Sequence, residues 1–277
     1  MRLLLFAILL PLTAFPAGPL AIINATIQQS EDGAAINSGI SFVPGETLFL
    51  SFQVEGYHVH PERKLRVSYE VDALDPQGVK LFETIESNVD RNLAPEDKDW
   101  KPKIRHQILI PPHALSGVYK VVIRAKDDLT NPPATTTKDV PFSVRSRDVA
   151  ASSTLVVRNF RFYRSEEDRD PLATPAYRPG DTVWARFDIT GYKLGPDNAV
   201  AVDYGISVTA PGGKVLYLQD PAAEERSSSF YPKRYVPGLL NLTLQPNIRP
   251  GQYGIILTVR DHITNQKIEH RESFSIE

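Results

Sequence analysis

Residues 44–57 read PGETLFLSFQVEGY, and residues 179–192 read PGDTVWARFDITGY. The two copies are 179 − 44 = 135 positions apart and align without a gap. In each copy a Pro-Gly turn leads into a segment in which every second residue is apolar, namely Leu48, Leu50, Phe52 and Val54 in the first copy and Val183, Ala185, Phe187 and Ile189 in the second. A period of two is typical of a β-strand with one buried face. The stretch therefore predicts a β-rich module that occurs twice.

The similarity between the copies extends outward over most of the chain. The matching pairs are residues 65–71 with 200–206, 75–78 with 210–213 and, after the loss of one residue, 117–125 with 251–259. Alternating segments separated by turns of this kind predict about seven short strands per module. We expect one module at residues 22–147, a linker at 148–153 and a second module at 154–277.

A tyrosine stands at the start of the sixth predicted strand of each module, at Tyr119 and Tyr253. This is the place of the tyrosine corner in immunoglobulin-like domains. With the Pro-Gly-Glu/Asp-Thr turn and the closing Asp-x-x-Thr turn, the pattern resembles the macroglobulin-like and fibronectin-like modules of bacterial envelope proteins. The resemblance implies an all-β fold of two tandem immunoglobulin-like β-sandwiches related by internal duplication. It implies no particular function.

The composition narrows the class of protein. The chain has 277 residues, a net charge of −2 from 31 basic and 33 acidic residues, and no cysteine. A general nucleic-acid binder would carry a basic excess, so the charge balance argues against one. An animal cell-surface immunoglobulin domain would usually carry an inter-sheet disulfide, which this chain cannot form. The composition therefore favours a bacterial envelope protein.

The first 21 residues differ in composition from the rest. Arg2 is their only charged residue, and an apolar run from Leu3 to Leu12 follows it. This run is shorter than the roughly 20 apolar residues of a membrane span. It predicts a secretory signal peptide at residues 1–21, with the cut between 14 and 21. We therefore expect a periplasmic or secreted protein that meets a membrane only through the uncleaved signal segment.

The sequence contains no motif that indicates catalysis. We find no nucleophile elbow, H-E-x-x-H pair, phosphate-binding loop or dinucleotide fingerprint, and we predict no catalytic residue, metal or cofactor. His58 and His60 share one face of an extended segment, but two ligands do not make a zinc site. Asp127 and Asp261 are expected to accept hydrogen bonds within their own turns. A calcium ion between the modules, held with acidic residues of 166–170, is the alternative.

Aromatic residues are the candidates for partner binding. Phe49 and Trp184 occupy equivalent positions on the strand face opposite the core. The copies differ most at residues 84–103 and 218–235, where we expect loops. The candidates in these segments are Trp100, Arg91, Phe230 and Tyr231. Trp, Tyr and Arg are enriched at interface hot spots, and loops on a rigid sandwich are suited to binding.

These observations predict an exported, non-enzymatic binding or structural protein of the bacterial envelope. Its partner is expected to be another envelope protein. A polysaccharide is the alternative ligand, because sandwich modules with aromatic loops accompany many secreted hydrolases. A pilus-type periplasmic chaperone, which also has two immunoglobulin-like domains, and an enzyme are further alternatives.

Overall fold

The computed structural model describes residues 18–31, 33–36, 40–97 and 99–277. Residues 1–17, which make up most of the predicted signal peptide, lie outside the described residues. The strands are β1 (Ala21–Gln28), β2 (Ser41–Phe42), β3 (Thr47–Glu55), β4 (Lys64–Leu74), β5 (Ile85–Asn92), β6 (Lys103–Leu109), β7 (Gly117–Asp127), β8 (Ala134–Val144), β9 (Val156–Tyr163), β10 (Ala176–Tyr177), β11 (Thr182–Thr190), β12 (Val200–Thr209), β13 (Val215–Ser227), β14 (Tyr235–Thr243), β15 (Gly251–Asp261) and β16 (Gln266–Ile276). In the described ranges the helical elements are two single 3-10 turns, Pro95–Asp97 and Pro196–Asn198. The fold is all-β, as the sequence predicted.

Each half of the chain forms a three-stranded sheet and a five-stranded sheet. In the first half the strand orders are β1-β3-β6 and β2-β8-β7-β4-β5. In the second half they are β9-β11-β14 and β10-β16-β15-β12-β13, so the pairing is the same strand for strand. The prediction of seven strands per module is one too low, because β2 and β10 are only two residues long. A strand of two residues is too short to show a period in sequence.

The alternating residues of the repeated stretch form the centre of each core. Phe52 of β3 and Phe187 of β11 are completely buried. Phe52 belongs to one cluster of buried apolar side chains and Phe187 to another, and the two clusters share no member. One member of the first cluster, Tyr231, comes from the second half of the chain.

The tyrosine corner predicted from the sequence is present in both halves. The hydroxyl of Tyr119 donates a hydrogen bond to the carbonyl oxygen of Leu115 at 2.8 Å. The hydroxyl of Tyr253 donates to the carbonyl oxygen of Arg249 at 2.7 Å. Each bond joins the start of a long central strand to the corner before it, which is the arrangement of immunoglobulin-like sandwiches.

The packed structure includes residues that precede β1. Leu20 is buried in the first core, and Leu155 is buried at the equivalent position in the second. Gly56 has a φ of +72°, and a Cβ there would lie 2.2 Å from the carbonyl oxygen of Pro19. A Cβ on Gly191 would likewise lie 1.9 Å from the carbonyl oxygen of Thr154. The chain before the first strand therefore crosses closely over the end of β3 and of β11.

A chain that begins at Ile22 is expected to be less stable than one that begins at Gly18. The shorter chain lacks the buried Leu20 side chain, whose burial is worth about 2 kcal/mol of unfolding free energy. Urea unfolding of the two purified chains measures the difference. Equal unfolding midpoints would contradict the packing role of residues 18–21, which a cut at the end of the predicted range, after Ala21, would remove.

Candidate functional site

A buried carboxylate, that of Asp75, joins the two halves. Asp75 follows β4 and its side chain is fully buried. Its Oδ2 accepts a hydrogen bond from the hydroxyl of Tyr231 at 3.0 Å and pairs with the guanidinium of Arg234 at 2.9 Å. Its Oδ1 accepts from the backbone N–H groups of Gln77 and Val79, each at 2.8 Å. Both oxygens are thus satisfied, as a buried carboxylate requires.

The Asp75 carboxylate has no counterpart in the second half, where the equivalent residue is Ala210. Burial, the neighbouring Tyr119 and the Asp75 carboxylate together raise the pKa of Tyr231. The phenol therefore remains protonated and able to donate. We infer that the contact of Asp75 with Tyr231 and Arg234 explains why the repeat is broken at this position.

A second contact anchors the linker to the second half. Asp188 of β11 is completely buried and lies 3.0 Å from the guanidinium of Arg147. The side-chain amide of Asn159 donates to Asp188 at 2.9 Å and to the carbonyl oxygen of Asp148 at 2.8 Å. The Arg147 guanidinium also lies 6.0 Å from the centre of the Tyr235 ring, within the range of a cation–π contact. These contacts fix the linker where it meets the second sandwich.

An aromatic contact extends the junction beside this linker. The rings of His113 and Tyr235 meet edge to face with centroids 5.4 Å apart. Burial lowers the pKa of His113, and the positive charges of Lys233 and Arg147 lower it further. Only Glu225 acts in the opposite direction. The imidazole is therefore neutral at neutral pH and packs as an aromatic ring.

A cleft of about 540 Å³ opens between the halves beside these contacts. Its walls include Phe82, Leu109 and Pro111 from the first half and Ser229 and Phe230 from the second. Leu109 is 57% exposed and Phe230 is 49% exposed, so two large apolar side chains face open space at one site. Exposed apolar surface in a concave, mainly apolar site is characteristic of binding sites.

The residues predicted to bind a partner do not all meet at this cleft. Phe230 lines it and is exposed, whereas Tyr231 is buried against Asp75. The docked first half covers Tyr231, so its side chain offers no exposed contact to a partner. Trp100 packs against the first core, and its carbonyl oxygen accepts a hydrogen bond from the Tyr57 hydroxyl.

The two variable segments are largely edge strands and not the loops that we predicted. Residues 84–103 contain β5, and residues 218–235 contain most of β13. Each is the last strand of its five-stranded sheet. Arg91 lies on β5 opposite Leu65 and is exposed, and it does not line the cleft. Edge strands of this kind are exposed on both sides, so they lack the alternation that identifies a strand in sequence.

Phe49 and Trp184 occupy equivalent positions on the central strands of the three-stranded sheets. Phe49 pairs with Gln28 and Gln107, and Trp184 pairs with Tyr163 and Asn241. Both aromatic side chains are partly buried. Neither lines the cleft between the halves.

The carboxylates predicted to act within turns do so. Asp127 accepts hydrogen bonds from the backbone N–H groups of Leu129 at 2.9 Å and His58 at 2.5 Å. Asp261 accepts from Ile263 at 2.9 Å and Lys193 at 3.0 Å. Burial alone would raise the pKa of Asp261, but these hydrogen bonds and that of Thr264 outweigh it and lower the pKa.

The calcium alternative receives no support from the acidic turn of the second half. Asp168 accepts hydrogen bonds from the backbone N–H groups of Arg164 at 3.2 Å and Ser165 at 3.1 Å. Among the residues that the structure describes, no group of three or more His, Cys, Asp or Glu side chains is placed to hold a metal ion. His58 and His60 thus have no such cluster around them within this part of the chain.

Sequence reasoning missed four residues of the junction: Asp75, Leu109, His113 and Arg234. One available signal was the mismatch of Asp75 with Ala210 in a turn whose proline and closing glycine match. Leu109 and His113 also differ from their counterparts in the second copy, Thr243 and Asn247.

Comparison with known proteins gives little guidance on function. No protein-family model and no curated protein matches the chain. A C-terminal domain of the Streptococcus agalactiae AgI/II polypeptide BspA is similar at 11% identity and a TM-score of 0.33, over 94% of this chain and 100% of that one. The C-terminal domain of the Streptococcus pyogenes antigen I/II-family protein AspA is similar at 9% identity and a TM-score of 0.33, over 91% of this chain and 98% of that one. Similarity this weak carries no functional argument.

None of the helical turns in the described ranges has the length and hydrophobicity to cross a membrane.

Proposed function

We propose that this chain is an exported, non-enzymatic binding protein of the bacterial envelope. Its two sandwiches act as one body, and the cleft between them holds an extended apolar segment of a partner polypeptide. The proposal rests on two exposed side chains that line the same apolar cleft, Leu109 from the first half and Phe230 from the second. Export rests on the signal peptide that the sequence predicts.

The shape of the cleft supports a polypeptide ligand. Gln107, Ile108 and Leu109 are consecutive residues at the end of β6, and all three line the cleft. In the described part of its sheet, β6 has one neighbour, β3, so its other edge is open. An extended peptide can form backbone hydrogen bonds with such an edge and place alternate side chains in an apolar site.

A polysaccharide fits the cleft less well. Carbohydrate-binding surfaces combine flat aromatic side chains with several polar groups, and neither Trp100 nor Trp184 lines this cleft. The lining includes six aliphatic or proline residues, Leu81, Ile85, Ile108, Leu109, Pro111 and Pro112, beside polar residues such as Gln107 and Ser229. The cleft therefore favours a partner with apolar side chains.

The test is to select peptides from a displayed random library on the purified protein and to measure how tightly one enriched peptide binds. We expect enriched peptides with alternating apolar residues, bound at least about tenfold more weakly by Phe230→Ala, because a buried Phe contact is worth more than the 1.4 kcal/mol of one decade. Leu239→Ala is the matched control, since Leu239 is exposed on β14 outside the cleft. It should bind the peptide as the wild type does.

Two outcomes would contradict the proposal. The first is equal binding by Phe230→Ala and the wild type. The second is an absence of any enriched peptide together with retardation of the protein in gels that contain soluble polysaccharides, which would favour the polysaccharide alternative.

A further inference from the structure

The edge strand β13 carries a continuous apolar run on the surface. Val215, Leu216, Tyr217 and Leu218 are 53%, 50%, 42% and 66% exposed. The strand is the last of its sheet, with β12 as its one neighbour in the described chain. An exposed apolar edge invites pairing with another strand, and proteins usually protect such edges with charges, bulges or cover.

The equivalent run in the first half is covered. At the spacing of 135, Lys80, Leu81 and Phe82 match Val215, Leu216 and Tyr217. Leu81 is buried, and both Leu81 and Phe82 face Phe230 and Tyr231 of the second half across the cleft. The chain thus covers this position in its first half and leaves the same position open in its second.

A second copy cannot cover β13 by repeating the junction between the halves. That junction depends on Asp75, which accepts from Tyr231 and pairs with Arg234. The second half has Ala210 in place of Asp75, so a copy docked head to tail would leave its Tyr231 and Arg234 without this acceptor. A different arrangement is required.

The run is complementary to itself when two copies lie antiparallel. Lys214 precedes it and Asp220 follows it, with no charged residue between. A twofold axis at Tyr217 places Leu216 of each copy opposite Leu218 of the other and brings Lys214 of each copy towards Asp220 of the other. A parallel arrangement would bring like charges together, which is unfavourable.

The backbone of β13 limits where this pairing can occur. Tyr217, Leu218 and Gln219 pair in regular register with β12, and register shifts lie on both sides of these residues. Pro221 has no N–H to donate, so it ends the usable edge. The available segment is therefore short and overlaps the apolar run at Tyr217 and Leu218.

We propose that two copies of this chain form a dimer by antiparallel pairing of β13 about Tyr217. Pairing joins the two five-stranded sheets into one continuous sheet. Because both copies contribute the same surface, the contact closes on itself and does not propagate into a fibre. The dimer interface is separate from the cleft, so it does not depend on the peptide ligand.

Sedimentation equilibrium over a wide range of protein concentration tests the proposal. We expect the wild type to dimerise and Leu218→Lys to dimerise at least about a hundredfold more weakly, because the substitution acts twice across the twofold axis. Val118→Lys is the matched control: Val118 is 67% exposed on β7 of the first half. It should dimerise as the wild type does, and all variants should keep the wild-type melting temperature.

A second measurement locates the contact. Because the chain has no cysteine, Tyr217→Cys introduces the only thiol, close to the proposed axis. Oxidation should link this variant into a covalent dimer and leave Val118→Cys monomeric. A wild type that is monomeric at every concentration, a dimer that survives Leu218→Lys, or equal cross-linking of the two cysteine variants would each overturn the proposal.

Discussion

Replacing Phe187 with alanine is expected to lower the free energy of unfolding by about 3–5 kcal/mol, the range for loss of a large core side chain. The Phe187 ring is completely buried. It stacks on Phe160 with centroids 5.7 Å apart and meets Tyr204 edge to face at 5.1 Å. A Cβ on Gly238 would lie 2.2 Å from the ring, so the ring fills the space that this glycine leaves. Gly238 has no side chain that could move into the cavity left by Phe187→Ala, so the loss of unfolding free energy stays large.

Urea unfolding measures this loss, and Phe52→Ala in the first core provides the comparison. Phe52 is equally buried and meets Tyr69 at 5.6 Å. The two substitutions should be additive to within about 0.5 kcal/mol, since the clusters share no side chain. Leu239→Ala, an exposed control, should change the free energy of unfolding by less than about 0.5 kcal/mol. Strong coupling between Phe52 and Phe187 would contradict the separation of the two cores.

The parts of the fold that follow from local patterns could be predicted from the sequence. Leu50 and Phe52 are buried because alternate residues of a strand share a face, and alternation is visible in sequence. Tyr119 donates to Leu115 only four residues away, so its role also depends on neighbouring sequence alone. Because the pattern occurs twice, the strand predicted in one copy can be compared with the strand predicted in the other.

The edge strands could not be predicted because they lack a buried face. In β13 nearly every residue is exposed, so neither face is selected by burial. Without one buried face a strand has no period of two to detect. The sequence of β13 therefore resembles that of a polar loop with four apolar residues at its start.

The candidate site was predictable only in part. Phe230 and Tyr231 are neighbours in sequence, and both are aromatic residues of the kind found at hot spots. One is exposed and the other is buried, because the acceptor for Tyr231 lies 156 residues earlier, at Asp75. Such a contact depends on how the two halves dock, and no local pattern reports it. The mismatch of Asp75 with Ala210 was its one trace in the sequence.

Replacing Asp75 with alanine is expected to lower the free energy of unfolding by about 2–3 kcal/mol and to uncouple the two halves. Removal of one partner of a buried pair leaves the other charge without compensation, at a cost of about 3–5 kcal/mol. Arg234 keeps partial contact with water, with 30% of its side chain exposed, so the expected cost falls below that range. The substitution also leaves the buried Tyr231 hydroxyl without its acceptor.

The two tryptophans allow each half to be followed separately, because Trp100 lies in the first half and Trp184 in the second. Trp100→Phe leaves a reporter for the second sandwich, and Trp184→Phe leaves one for the first. With Asp75 in place, both reporters should change at the same urea concentration. In Asp75→Ala they should change at different concentrations, since each sandwich has its own core. Asp139→Ala is the control: its ion pair with Lys120 is exposed, so its loss should cost less than about 1 kcal/mol. Coincident transitions in Asp75→Ala would show that the halves are held together without this carboxylate, and the Asp188 contact with Arg147 would then carry the junction.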